Sequence, residues 1–257
     1  MKITLTIHEK DYTADLTQPH DISIPVRFGG DGGTAFGAPP ASKAAFTSGD
    51  FTGDVSRGGS CNCEFYTFAP HLHGTHTECV GHISDERIAV TDIIKDSLIP
   101  ATLITVTPEK IAESYDPPLN TTDLTITRRA LEKALQKSNP DFLDALIVRT
   151  NSRDTENPPF FSREAMTYIS GLPVKHLLTD LPSVDRRDDG GKLGNHRIFW
   201  GVAPSITNIK KPSPRTITEM IAVPAAVKDG PYILNLQVAP FLCDAAPSRP
   251  LLYKVKP

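Results

Sequence analysis

From Lys2 to Ile7 polar and apolar residues alternate, which puts Ile3, Leu5 and Ile7 on one face. A period of two is the signature of a strand with one buried side. Cys61–Phe68 and Ala101–Thr107 also read as strands, and the short apolar runs Ala145–Arg149 and His176–Thr179 suit buried ones. The period changes after Thr127. Ala130, Leu131, Ala134 and Leu135 recur at helical spacing, Thr127 can cap the helix, and Asn139-Pro140 ends it near Lys137. Ser162 can cap a second helix that runs to Ser170. Toward the C-terminus, Ile217–Val223 and Tyr232–Val238 read as strands joined across the turn sequence Lys228-Asp229-Gly230. Gly29–Pro40 is rich in glycine and proline and predicts an irregular loop. Strands interleaved with a few helices, without repeats or a linker, predict one α/β or α+β domain over residues 1–257.

Composition removes several classes of function. The chain has 27 basic and 30 acidic residues, a formal charge of −3, so no basic excess points to nucleic acid. No apolar run approaches the roughly 18 residues that a membrane span needs. The opening MKITLTIHEKDYTADL holds no sustained apolar stretch, so no signal peptide is expected. The cysteines are Cys61, Cys63, Cys79 and Cys243, too few for a disulfide scaffold at this length. A reduced, cytoplasmic setting is the expectation. Cys61 and Cys63 have no second pair to complete a metal site and read as structural.

One stretch stands out chemically. "HLHGTHTECVGH", His71 to His82, holds four of the eight histidines. In an extended segment His76 and Glu78 point the same way, because strand side chains alternate. Gly74 and Thr75 suit a place where the backbone comes close to another group. Imidazoles beside a carboxylate are ligands for zinc or manganese. Cys79 would point away from His76 and Glu78, which argues against it as a nucleophile. No Gly-x-Ser-x-Gly elbow offers a serine route.

The stretch resembles the motif H-x-G-T-H-x-D-x-P-x-H of the cyclase family of metal-dependent hydrolases, the group of kynurenine formamidase and isatin hydrolase. Gly74-Thr75-His76 match G-T-H, Glu78 stands at the Asp, Val80 at the Pro, and His82 at the last His. Leu72 occupies the position of the first His, with His71 and His73 on either side. A one-residue bulge would return His71 to the face of His76, and a loop that is not extended would admit His73. Both remain candidates. "ADLTQPHDISIPV" is similar to the family's opening segment, and Arg27 or Phe28 replaces a substrate-contacting Trp there. "HLLTDLPSVDR" resembles a family strand and turn that precede a metal-binding His, here His196 in "GNHRIFWG"; a later metal-binding Glu would be Glu219 in "ITEMIAV".

The resemblance implies a single α/β domain. Its mixed β-sheet would be partly closed into a barrel with helices packed outside, a swivelling β/β/α-like fold. It implies one or two divalent ions, zinc or else manganese. The ligands would be His76, Glu78 and either His71 or His73, with His196 and Glu219 at a second position. His82 would be the general acid/base, and Arg27 and Phe28 would meet a small-molecule substrate. The reaction would be hydrolysis of an amide, formamide or cyclic amide or ester, in a homodimer or homotetramer. The alternative is a degenerate member that binds metal or a small molecule without turnover. Taken alone, Asp180 and Asp185 read as turn residues, and His8, His20 and His176 as structural.

Overall fold

The apolar runs in the middle of the chain become neighbouring parallel strands because a helix follows each and carries the chain back across the sheet. The computed structural model describes residues 1–257 apart from 31–33, 112–114, 153 and 257. The strands that build the main sheet begin with β1 (Lys2–Ile7), β2 (Lys10–Asp15) and β3 (His76–Cys79). Next come β4 (Ile99–Thr105), β5 (Ala145–Arg149), β6 (His176–Thr179) and β7 (Thr216–Glu219). The last are β8 (Gly230–Asn235), β9 (Ala245–Pro247) and β10 (Leu251–Lys256). Three helices connect the middle strands: α1 (Arg128–Leu135), α2 (Arg163–Ser170) and α3 (Gly194–Trp200).

The order across the sheet is β1-β2-β10-β8-β4-β5-β6-β7-β3-β9, and His20–Asp21 adds a short strand beside β10. The β4–β5, β5–β6 and β6–β7 pairs are parallel. The flanking pairs are antiparallel. Each parallel strand is buried on both faces, as crossover helices require. In β5, Leu146 and Val148 pack with Leu131, Met166 and Ile169 of the helices. Ala145 and Ile147 face the opposite side, with Ile22, Ile221, Leu234 and Leu252. Burying each such large aliphatic side chain contributes about 1.5–3 kcal/mol. The expected caps form: Thr127 Oγ1 accepts from the Ala130 N–H (3.1 Å) and Ser162 Oγ from the Ala165 N–H (3.1 Å).

Three expectations change. β7 and β8 do not form a hairpin, since β7 lies between β6 and β3 while β8 lies between β10 and β4. The turn's Asp229 instead binds the Thr105 N–H (2.8 Å) and pairs with Arg149 (2.9 Å). β7 also stops at Glu219, because Met220 takes a left-handed conformation (φ +58°) and turns the chain. The strand expected over Cys61–Phe68 shrinks to Glu64–Thr67, in a separate two-stranded ribbon with Ser42–Ala45. The sheet is large and mixed, but its outermost strands β1 and β9 do not pair with each other, so no closed barrel appears among the described residues. The described part of Gly29–Pro40 holds no strand or helix; residues 31–33 lie outside the description. No helix among the described residues is long and apolar enough to cross a membrane.

Candidate metal centre

The register of β3 against β7 places the chemistry. His76 lies opposite Glu219, and Glu78 opposite Ile217. Cross-strand partners share a face, so His76, Glu78 and Glu219 all point to the helix-covered side with Ile217. They do so at the carboxyl end of the parallel strands, where open α/β sheets put their ligands. Gly74 makes the approach to β3 possible. It adopts φ +72°, and a Cβ there would sit 2.7 Å from the Ile24 carbonyl oxygen. Only glycine tolerates both conditions. The neighbouring Thr75 then locks the two segments together: its N–H donates to Ile24 O (2.9 Å) and its Oγ1 accepts from the Ile24 N–H (2.7 Å).

Of the residues expected at the site, the fold brings His71, His76, Glu78, His82, His196 and Glu219 together. His71 arrives from a single 3-10 turn, Pro70–Leu72, so the segment that carries it is not a strand, and between that turn and Gly74 only His73 is extended. His71 Nδ1 is 3.0 Å from Glu78 Oε2. His196, in the first turn of α3, bonds through Nε2 to Glu78 Oε1 (2.8 Å). His82, from the 3-10 turn Val80–Ile83, has Nδ1 3.9 Å from Glu78 Oε2. Glu219 Oε2 is 3.6 Å from His76 Nε2, and its Oε1 accepts the Val184 N–H (2.8 Å).

The remaining expected residues lie elsewhere. His73 is turned away, with both ring nitrogens on the backbone. Nδ1 accepts from the Ala69 N–H (3.1 Å), and Nε2 donates to Pro39 O (2.9 Å). Arg27 is exposed and belongs to none of the donor groups. Phe28 is half-buried outside the cluster, its ring 4.5 Å from Tyr66 and 5.7 Å from Phe68. Cys79 Sγ points to the Ile88 carbonyl (3.4 Å), away from His76, and burial pushes its thiol up to about 12.

Two carboxylates join that sequence reasoning missed. Asp185 Oδ2 accepts from His196 Nδ1 (2.7 Å), and its Oδ1 accepts from Arg163 (2.8 Å). Asp244 Oδ2 accepts from His71 Nε2 (2.7 Å) and lies 3.5 Å from His82 Nδ1. "PSVDR" did carry a signal for Asp185. Asp244, 173 residues from His71, carried none.

Opposite charges set the protonation states. Burial alone would lower the His71 pKa, but Asp244 and Glu78 outweigh it and raise it to about 10. Burial opposes charge on His196 too, and Glu78 and Asp185 still hold its pKa well above the ordinary value. Glu78 is fully buried, which would raise its pKa, yet His82 and His196 keep it well below the usual carboxylate range. Asp244 is lowered by its hydrogen bonds to His71 and His82.

Three triads of donor atoms lie within 4.8 Å: His71, His76 and Glu78; Glu78, His82 and His196; His71, His82 and Asp244. Within the first, His76 Nε2 and Glu78 Oε2 are buried with no hydrogen-bond partner among the described residues. Glu78 Oε2 has His71 at ion-pair distance but without hydrogen-bond geometry. Leaving such atoms unpaired costs about 1–3 kcal/mol each. A divalent cation bonded to both would remove that cost, so the residues present fit a metal.

The fold is like that of solved metal-dependent hydrolases, and the donor set is one that could hold a divalent ion. A sequence model of the cyclase family, described as "Putative cyclase", matches residues 14–186. The chain belongs to the cyclase family. Solved structures with the same fold include a predicted metal-dependent hydrolase from Bacillus stearothermophilus, with TM-score 0.60 and 18% identity over 92% of this chain and 98% of that one. An isatin hydrolase bound to the product analogue thioisatinate superposes with TM-score 0.55 and 14% identity, over 85% of this chain and 83% of that one. Isatin hydrolase A from Ralstonia solanacearum gives TM-score 0.52 and 12% identity, over 98% and 91%. No curated protein sequence matches the chain.

Proposed function

We propose that the protein hydrolyses a small amide, formamide or cyclic amide or ester with the help of a divalent metal ion. The observation that carries this reading is the pair of buried, unpartnered atoms, His76 Nε2 and Glu78 Oε2, inside a cluster of imidazoles. His71 through Nδ1, His76 through Nε2 and Glu78 would hold the ion. Glu78, His196 and Glu219 would serve a second ion. Zinc suits an imidazole-rich set with carboxylate, and manganese is the alternative. When bound, such an ion acidifies water toward neutral pH and polarises a carbonyl group.

The chain's own residues supply the rest. His82 is half-buried, and its Nδ1 faces the cluster. It takes the proton from the attacking water at Nδ1 and returns it to the leaving nitrogen or oxygen. Glu78 and Glu219 keep the face negative and so favour a cation over a second anion. A cavity of about 240 Å³ has Ile24, Phe36, Asp180, Leu181, Pro182 and Met220 among its lining residues; Met220 follows Glu219 in the chain, and none of the cluster residues lines it. Its mostly apolar wall suits a small ring or acyl group. Phe28, with the neighbouring Phe68, and Arg27 would meet the substrate if it extends beyond the cluster. Assembly into a homodimer or homotetramer completes the proposal.

The test is a panel of N-formyl anilides, lactams and lactones, assayed with the metal-free protein and after adding zinc or manganese. Turnover that appears only with metal supports the hydrolase. Tight metal binding with no turnover across the panel would favour the degenerate, binding-only alternative.

A further inference from the structure

Glu78 is flanked by two imidazoles, and each has a carboxylate behind it. On one side His71 turns Nδ1 to Glu78 (3.0 Å) and Nε2 to Asp244 (2.7 Å). On the other side His196 turns Nε2 to Glu78 (2.8 Å) and Nδ1 to Asp185 (2.7 Å). The two rings reach the same arrangement with opposite nitrogens. A neutral imidazole carries its proton on one nitrogen and its lone pair on the other, and the hydrogen bond made by one decides the role of the other.

We propose that Asp244 and Asp185 are positioning residues that fix opposite tautomers in His71 and His196, so that His71 offers Nδ1 and His196 offers Nε2 to the metal. The proposal rests on the reading that this cluster holds a divalent ion. Both carboxylates are themselves held. Asp185 accepts from Arg163 (2.8 Å), from the Asn195 N–H (2.8 Å) and from the His196 N–H (3.2 Å), which ties it to the start of α3. Asp244 stands just before β9, and its carbonyl accepts the Cys79 N–H (3.0 Å) at the end of β3. Gly81 leaves it room, since a Cβ there would lie 2.9 Å from the Asp244 Cβ.

The rival role for Asp244 is that of a ligand, in the triad with His71 and His82. For the ion on His71 Nδ1 and Glu78, the ring of His71 excludes it. The nitrogen on Asp244 is the one opposite the nitrogen on Glu78, so Asp244 and Glu78 cannot share one ion through His71.

Long-range proton–nitrogen correlation spectra of zinc-loaded protein, with isotope-labelled histidine, read the tautomer of each ring directly. The expected result is a proton on Nε2 of His71 and on Nδ1 of His196, with zinc on the other nitrogen of each. Zinc titration against a competing chelator then compares Asp185→Asn and Asp244→Asn with the unaltered protein. Each is expected to keep its zinc stoichiometry and to bind about 10- to 100-fold more weakly. Reversed tautomers at either ring, or unchanged affinity in both variants, overturns the proposal. Loss of an ion from Asp244→Asn makes that residue a ligand and also overturns it. Because Asp185 holds Arg163 as well, the tautomer spectrum of the unaltered protein decides the case if that variant does not fold. Failure of the unaltered protein to take up zinc would refute the metal reading itself; zinc uptake with reversed tautomers would refute the positioning role alone.

Discussion

Arg149 and His76 are both buried at the carboxyl end of the parallel strands, and their surroundings treat them in opposite ways. Arg149 ends β5 and spends its guanidinium on five hydrogen bonds: two to Thr105 Oγ1, one each to the Pro224 and Val227 carbonyls, and one to Asp229. Asp180, just past β6, is likewise satisfied by the Thr150 and Asn151 N–H groups and the Thr150 hydroxyl. His76 opens β3 beside the last residue of β7, and its Nε2 has no hydrogen-bond partner among the described residues, only Glu219 at 3.6 Å. A buried polar group that is fully bonded within the chain is part of the scaffold. One that is left open, among other donors aimed at the same point, marks where something else binds. The sheet thus separates a closed polar network around Arg149 from an open one around His76, with only β6 and β7 between their strands.

The sharpest way to test that division is through rate. His82→Ala is expected to lower kcat by about 10²–10⁴-fold, the usual worth of a general acid/base, with metal content unchanged. Metal analysis beside the kinetics checks it, and a metal-free variant would make His82 a ligand. On the closed side, Arg149→Met should cost about 1–3 kcal/mol of stability, because it leaves the Pro224 and Val227 carbonyls without their donor. Urea unfolding measures the cost, and the folded variant should still bind metal as before. A loss below about 1 kcal/mol would remove the contrast between the two networks.

His176 offers a milder comparison, a buried histidine at the amino end of its strand. Nδ1 bonds to Thr216 Oγ1 (2.8 Å), and burial, only partly offset by Asp96, lowers its pKa to about 4. The folded state therefore resists a proton that the unfolded state accepts below about 6.5. Its contribution is complete above that pH and is lost as pH falls toward 4. The loss amounts to about 3 kcal/mol at most. Unfolding of metal-loaded protein between pH 7 and 4 should be steeper in pH for the native sequence than for His176→Gln. Parallel curves would show that His176 is not held neutral.

Much of this was legible in the chain, for identifiable reasons. The strand at Ala145–Arg149 and the capped helices at Thr127 and Ser162 follow from local pattern, and tertiary structure leaves them in place. The strand expected to run on to Val223 failed because Met220 adopts a left-handed backbone that no residue-type rule anticipates. The C-terminal hairpin failed because Lys228-Asp229-Gly230 is a valid turn whose Asp229 is committed to Arg149. At the site, alternation alone placed His76 with Glu78. It could not choose between His71 and His73, since the deciding feature is a 3-10 turn followed by a left-handed glycine. Asp244 was invisible because its position depends on β9 pairing with β3, a contact distant in sequence.

The most direct test of the open network is a zinc titration of metal-free protein against a chromophoric chelator, run beside His76→Ala. The expected result is tight uptake of at least one ion by the native sequence and loss of that uptake in the variant, with both proteins folded by circular dichroism. Equal uptake by the two, or none by the native sequence, would contradict the assignment of His76 and Glu78 as the centre of the site.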